Sequence, residues 1–137
     1  MTVQLVVDSS AIVAILTGEP EQAAFRARLD AAPKAFCSTA SFVESFMVLS
    51  ARIADLTADE LQDALGTINV ELLPFDAEQA ILATQAFARF GKGRHPARLN
   101  LGDCFSYALA KSLNAPLLYK GEDFGLTDIA TAVPSQE

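Results

Sequence analysis

The sequence predicts an α/β domain with a short, mostly parallel central sheet covered by helices on both faces. Short apolar runs of strand length alternate with longer segments whose apolar residues recur at helical spacing. The first run, Val3 to Val7, is nearly all apolar, as is typical of a strand buried on both faces. No linker, repeat or low-complexity segment divides the 137 residues. We therefore expect one domain over residues 1–137.

The other elements follow in order along the chain. Helices are predicted over 11–17, from Pro20 to about Ala32, from about 39 to 53, from the capping box at 57–60, from a similar cap at 76–79, and over 100–113. Strands are predicted over 35–38, 70–75 and 116–119, and residues 128–133 are a candidate fifth strand at the edge. Gly, Pro, His and basic residues between 91 and 100 indicate an exposed loop.

Composition favours a soluble, cytoplasmic protein with free thiols. Hydrophobic residues make up 51% of the chain, yet no run approaches the roughly 18 apolar residues that cross a bilayer. The first residues lack the basic start and long apolar middle of a signal peptide. Cys37 and Cys104 lack the spacing of a metal site, so we expect both to be buried thiols.

The formal charge of −7 argues against a protein that binds nucleic acid through overall positive charge. Phosphate binding normally relies on Lys and Arg. The objection weakens where several acids are gathered around bound cations, because those cations reverse the local field. The positions of the acids therefore matter more than their total.

Four acids are candidates for one metal site. Asp8 and Asp123 follow the first and fourth predicted strands, while Glu44 and Asp103 lie early in helices that begin at the same edge of the sheet. Neither Glu44 nor Asp103 has a basic neighbour one helical turn away. Two carboxylates about 4 Å apart repel by roughly 4 kcal/mol at an effective dielectric near 20, so such a group must protonate or bind cations. Oxygen-only ligands suit Mg²⁺ or Mn²⁺.

Each acid also has a purely structural explanation. Asp8 suits a helix N-cap, Glu44 a solvated helix face, Asp103 a capping box, and Asp123 a turn. Glu122 and Asp128 are local substitutes for Asp123. Other chemistries have less support, because His95 is the sole histidine and the sequence has neither a Gly-x-Ser-x-Gly elbow nor a Gly-rich phosphate loop.

Four short motifs carry a family resemblance. They are Val-Val-Asp8-Ser-Ser-Ala, Ser-Phe-Val-Glu44, Leu-Gly-Asp103-Cys and Gly-Glu-Asp123-Phe. Their order and spacing, over almost the whole chain, resemble the PIN-domain ribonucleases of the VapC toxin group. The segment 120–129 is also similar to the closing segment of that family.

The resemblance implies a three-layer α/β/α fold, a homodimer, Mg²⁺-dependent endoribonuclease activity and inhibition by a small antitoxin protein. Asp8, Glu44 and Asp103 match the core acids of the family motif, and Asp123 matches the more variable fourth. By this hypothesis Asp8 and Asp103 bind the metal directly, while Glu44 and Asp123 bind a second ion or hold water.

The one concentrated basic stretch is a candidate RNA contact. It contains Arg89, Lys92, Arg94 and Arg98 with no intervening acid. The alternative is a solvated helix end and loop. Two further classes of function stay open, a non-catalytic binding module and a metal-dependent enzyme acting on DNA or small phosphate esters.

Overall fold

Short parallel strands alternate with helices in the computed structural model, which describes residues 4–133. The strands are β1 (Gln4–Val7), β2 (Lys34–Ser38), β3 (Val70–Leu73) and β4 (Leu117–Leu118). The helices are α1 (Ser9–Leu16), α2 (Gln22–Asp30), α3 (Thr39–Ser50), α4 (Ala58–Thr67), α5 (Ala77–Phe90) and α6 (Leu101–Leu113), followed by a 3₁₀ turn at Asp123–Leu126. Val3 lies outside the described residues.

The four strands form one parallel sheet in the order β3-β2-β1-β4. From β1 the chain first builds outward through β2 and β3, and it later returns to add β4 on the other side of β1. The order therefore reverses between β1 and β4. In open α/β sheets ligands bind at this switch point, beyond the carboxyl ends of the strands.

Two apolar cores lie on opposite faces of the sheet and confirm the three-layer prediction. Leu5 and Val7 of β1 face a core that contains α1, α2 and α4. Val6 points to the other face, where α5 and α6 pack. This alternation follows from the pleat of a strand whose faces are both covered.

Polar side chains fix where the helices begin, as the sequence predicts. Asp8, Ser38 and Asp76 cap α1, α3 and α5 through bonds from backbone N–H groups. Thr57 with Glu60 and Asn100 with Asp103 form complete capping boxes at α4 and α6. At the other end of α6, Asn114 adopts the left-handed conformation with φ 50°.

Several predicted boundaries are wrong: α3 ends at Ser50 rather than near 53, β3 ends at Leu73 rather than at 75, and β4 covers only Leu117–Leu118. Pro20 lies in a turn before α2, because the first helical bond there runs from Phe25 N–H to the Glu21 carbonyl. Residues 128–133 form a single bridge to Leu117 rather than a strand. Only the backbone of Leu117 is paired, with Ala130 and Ala132, so the ladder does not continue.

Both cysteines are buried free thiols, as expected. Among the helices of residues 4–133, none combines the length and apolar character needed to cross a membrane.

Candidate functional site

An acidic cleft opens at the carboxyl ends of β1 and β4, where the sheet order reverses. It has a volume of about 310 Å³. Its lining residues are Asp8, Ser9, Ser10, Val13, Glu19, Glu44, Val48, Asn100, Asp103 and Lys120. Three of the four predicted site acids therefore share one cleft, although they are far apart in the sequence.

Asp8 is at the base of this cleft and is only 2% exposed. Its Oδ2 accepts hydrogen bonds from the Ser10 backbone N–H at 3.0 Å and the Ser10 hydroxyl at 2.6 Å. Its Oδ1 accepts a hydrogen bond from the hydroxyl of Ser106 on α6. Asp8 is thus both the predicted N-cap and a member of the acid group, and the two roles use the same carboxylate.

Glu44 projects from α3 into the cleft and is half-buried. Ser9 donates a hydrogen bond of 2.7 Å to its Oε1. Burial raises the pKa of the Glu44 carboxyl above its ordinary value, the Ser9 hydrogen bond lowers it, and the charge of Asp8 raises it further. Ser41 and Ser45 are buried whereas Met47 and Val48 are exposed, so Glu44 lies at the edge between the cleft and the exposed face of α3.

Asp103 lies in the first turn of α6, facing the same cleft. Its Oδ2 accepts a hydrogen bond of 3.0 Å from the Asn100 backbone N–H, which completes the capping box. Burial raises the Asp103 pKa to about 7, the Asn100 bond opposes this rise, and the charges of Asp8, Asp123 and Glu44 add to it. The charges of all three other predicted acids therefore affect the pKa of Asp103.

The fourth acid is outside the lining of the cleft. Asp123 is exposed and begins the 3₁₀ turn after β4. The charge of Asp123 raises the pKa of Asp103, whereas Glu122 is not among the groups that affect this pKa. Asp128 has a different role, because it accepts bonds of 2.7 Å from both Tyr107 and Lys111. Both carboxylate oxygens of Asp128 are thus already bound, and Asp128 is not among the groups that shift the Asp103 pKa, which favours Asp123 as the fourth acid.

The donor chemistry of the cleft fits a hard divalent cation. All four acids offer carboxylate oxygens, which suit Mg²⁺ and Mn²⁺. None of the four forms a salt bridge within residues 4–133. In that part of the chain no group of three acids, histidines or cysteines is arranged to hold an ion as it stands.

Lys120 at the rim of the cleft is already neutralised. Its Nζ lies 2.8 Å from Glu19 and 3.5 Å from Glu21. Arg52 also contacts Glu19, at 3.2 Å. These contacts hold the lysine charge at the turn before α2, and within residues 4–133 no salt bridge reaches Asp8, Glu44 or Asp103.

The predicted basic contact residues do not form one group. Arg89 pairs with Asp128 at 3.4 Å and lies over the Phe90 ring. Arg94 lies over the ring of Phe87. Lys92 and Arg98 are exposed in the loop, and Arg98 is two residues before Asn100 of the cleft.

Sequence reasoning misses the hydroxyl groups that organise the acids. Ser9, Ser10 and Ser106 are not among the site residues predicted from the sequence. The signal for Ser106 is its spacing, because a residue three positions after Asp103 lies on the same face of α6.

The structure is an α/β/α fold with an acidic cleft at the switch point of its sheet, and a comparison with protein families gives the class to which such a chain belongs. The model of the PIN domain family matches residues 5–130 of the chain, and the chain therefore belongs to the PIN-domain family.

Its relatives place it more narrowly, among the VapC toxins. It is 48% identical over 126 residues to the protein named Ribonuclease VapC of Mycolicibacterium smegmatis, covering 92% of this chain and 98% of the relative.

Two solved structures show the same fold. VapC20 of Mycobacterium tuberculosis, described as a Sarcin-Ricin loop cleaving toxin, matches with a TM-score of 0.76 at 16% identity, covering 95% of this chain and 99% of that one. A chain of a toxin-antitoxin complex from Klebsiella pneumoniae matches with a TM-score of 0.66 at 17% identity, covering 93% and 97%.

Proposed function

We propose that this chain is the toxin of a toxin–antitoxin pair, an endoribonuclease that hydrolyses RNA phosphodiester bonds with Mg²⁺, or Mn²⁺ in its place. The observation that carries the proposal is the buried Asp8 carboxylate, which shares a cleft with Glu44 and Asp103 and has no basic partner there. Gathered carboxylates of this kind are costly unless a cation joins them. The name of the close relative supplies the substrate class.

Asp8 and Asp103 are the preferred direct ligands. Within residues 4–133 the Asp103 carboxylate accepts a hydrogen bond only at Oδ2, which leaves Oδ1 available to a cation in the cleft. Glu44 and Asp123 hold a second ion or orient the attacking water on either side of that pair. Bound Mg²⁺ supplies positive charge that activates water and stabilises the leaving oxygen. The protein contributes the fixed positions of the carboxylates.

The basic stretch is proposed to contact RNA phosphates beside the cleft. Arg98 is two residues from Asn100, which lines the cleft. Lys92 and Arg94 are exposed nearby along the same loop. Arg89 is the weakest of the four candidates because Asp128 already pairs with its guanidinium.

A small antitoxin protein is the proposed partner, because a chain with this fold occurs in a toxin-antitoxin complex. Val48 of α3 both lines the acidic cleft and is 42% exposed, and Val43 and Met47 on the same helix are more exposed still. An inhibitor that covers this apolar face can reach the acids with an Arg side chain. Met47→Glu is expected to weaken binding of the antitoxin without changing RNA cleavage.

We also propose a homodimer. Ile81, Phe87 and Leu101 are exposed apolar residues on α5 and α6, rather than on the face of α3 assigned to the antitoxin. Exposed apolar residues on two neighbouring helices are typical of a protein interface. Sedimentation at several protein concentrations measures the mass directly; a monomer throughout would reject the dimer.

The experiment that tests the enzymatic proposal compares substrates. Single-stranded RNA, single-stranded DNA and a small phosphate diester are incubated with purified protein, with EDTA or with Mg²⁺. Cleavage of RNA alone, only with Mg²⁺, is the expected result. Cleavage of DNA or of the small ester at equal rates would support the phosphodiesterase alternative, and no cleavage of any substrate would support the binding module.

A further inference from the structure

Three buried serines lie on α3 and α6, the helices that carry Glu44 and Asp103. Ser41 and Ser45 are fully buried and Ser106 is 1% exposed. A hydroxyl in an apolar interior costs free energy unless it is hydrogen-bonded. The acceptor to which each serine hydroxyl donates therefore indicates why that serine is present.

Ser45 is explained by its own helix. Its hydroxyl donates to the Ser41 carbonyl at 2.8 Å, one turn earlier in α3. This bond satisfies the group locally and reaches no residue of the cleft.

Ser106 differs because its hydroxyl donates to Oδ1 of Asp8. A serine has a single hydroxyl hydrogen. In the 3.3 Å contact between Ser41 and Ser106, Ser41 is therefore the donor and Ser106 the acceptor. The hydrogen bonds run in one direction, from Ser41 through Ser106 to Asp8.

The hydrogen bond from Ser106 connects Asp8 to the helix that carries Asp103. Ser106 lies one turn after Asp103 on α6, so the same rigid element carries Asp103 and the donor to Asp8. The other donors to Asp8 come from Ser10, which belongs to α1 and holds Oδ2. Ser106 alone among these donors ties Asp8 to the helix that carries Asp103.

We propose that Ser106 is a positioning residue, whose hydroxyl fixes the Asp8 carboxylate relative to Asp103 and so sets the affinity of the cleft for a divalent cation. The proposal rests on the proposed function, because it assumes that these acids bind metal. Partners of this kind, which orient a metal ligand without touching the metal, typically change affinity by about 10- to 100-fold.

The test measures Mn²⁺ binding by calorimetry, without RNA, for the wild type and four variants. Ser106→Ala is expected to bind Mn²⁺ about tenfold more weakly. Ser106→Thr, which keeps the hydroxyl, is expected to recover most of the affinity. Ser45→Ala is the matched control, since it removes an equally buried hydroxyl that does not reach Asp8, and it should bind as the wild type does. Asp8→Asn should abolish binding.

These variants distinguish the positioning role of Ser106 from the existence of the metal site itself. Equal affinity of the wild type and Ser106→Ala, with binding lost in Asp8→Asn, would overturn the role of Ser106 and leave the metal site standing. Absence of Mn²⁺ binding in the wild type would overturn both. Thermal melting without metal checks that each variant is folded; should Ser106→Ala not fold, Ser106→Cys, with a similar size and a weaker donor, is expected to show the same direction of loss.

Discussion

The carboxylate of Glu44 occupies the space that a side chain at position 102 would need. Gly102 is buried in the first turn of α6, and a Cβ added there would overlap the Glu44 carboxyl group before any other atom. α3 and α6 thus approach closely enough to bring Glu44 beside Asp103 only because residue 102 has no side chain.

Gly102→Ala is therefore expected to displace Glu44 without unfolding the protein. The atoms that must move are the end of a flexible side chain rather than backbone. RNA cleavage should fall by about 10- to 100-fold, while the melting temperature changes little. Gly66→Ala is the matched control, because a Cβ at that helical glycine meets nothing within 4 Å. Equal cleavage by both variants would contradict the proposed role of Glu44.

Stability without metal should depend on pH through Asp103. Its pKa is about 7 in the folded protein, against an ordinary value of 3.8. The folded state therefore holds a proton that the unfolded chain has released, and stability falls as pH rises from about 4 to about 7. In EDTA at pH 8, Asp103→Asn is expected to melt about 3 °C higher than the wild type, because it removes a carboxylate charge that burial and the neighbouring acids disfavour. Thermal melting at pH 5 and pH 8 measures this, and a lower melting temperature for Asp103→Asn at pH 8 would count against it.

Three single substitutions can decide which of Asp123, Glu122 and Asp128 is the fourth acid of the site. Asp123→Asn should lower the rate of Mg²⁺-dependent cleavage, because only Asp123 of the three candidates affects Asp103. Glu122→Gln should have little effect. Asp128→Asn should instead lower the melting temperature, since it weakens the interactions with Tyr107, Lys111 and Arg89. Full activity of Asp123→Asn together with inactivity of Glu122→Gln would reverse the assignment.

The basic loop should contribute to RNA affinity in a salt-dependent way. Arg94→Gln with Arg98→Gln is expected to weaken RNA binding mainly at low salt. The slope of log K against log salt should fall by about 0.7 for each RNA phosphate that the variant no longer neutralises. Arg26→Gln with Lys34→Gln removes the same charge from an exposed surface elsewhere and is the control. Identical slopes for the two double variants would reject a role of this loop in phosphate binding.

Much of the fold could be predicted because local signals agree with it. The apolar runs, the cap residues at 8, 38, 57, 76 and 100, and Asn114 at the end of α6 each act over a few residues. The proposed fifth strand failed because strand pairing depends on the partner, and Leu117 supplies only one bridge.

The site was partly predictable for the same reason. Position along the strands and helices was enough to group Asp8, Glu44 and Asp103 at one edge. The hydrogen bond from Ser106 to Asp8 joins residues 98 positions apart, and the fit of Glu44 against Gly102 depends on how α3 and α6 pack. The spacing of Ser106 places it on the face of α6 that carries Asp103, but neither its bond to Asp8 nor the fit at Gly102 has a local signature. The structural and functional explanations of Asp8 and Asp103 also proved compatible, because each carboxylate caps a helix and faces the cleft.

The central claim is that the acids of this cleft hold the cation that permits RNA cleavage. The most direct measurement is the rate at which purified wild type, Asp8→Asn and Asp103→Asn cleave RNA with Mg²⁺, with Asp63→Asn on the exposed face of α4 as the control. The wild type and Asp63→Asn are expected to cleave at the same rate, and the two cleft variants to be inactive although folded. Undiminished cleavage by folded Asp8→Asn or Asp103→Asn would contradict the claim.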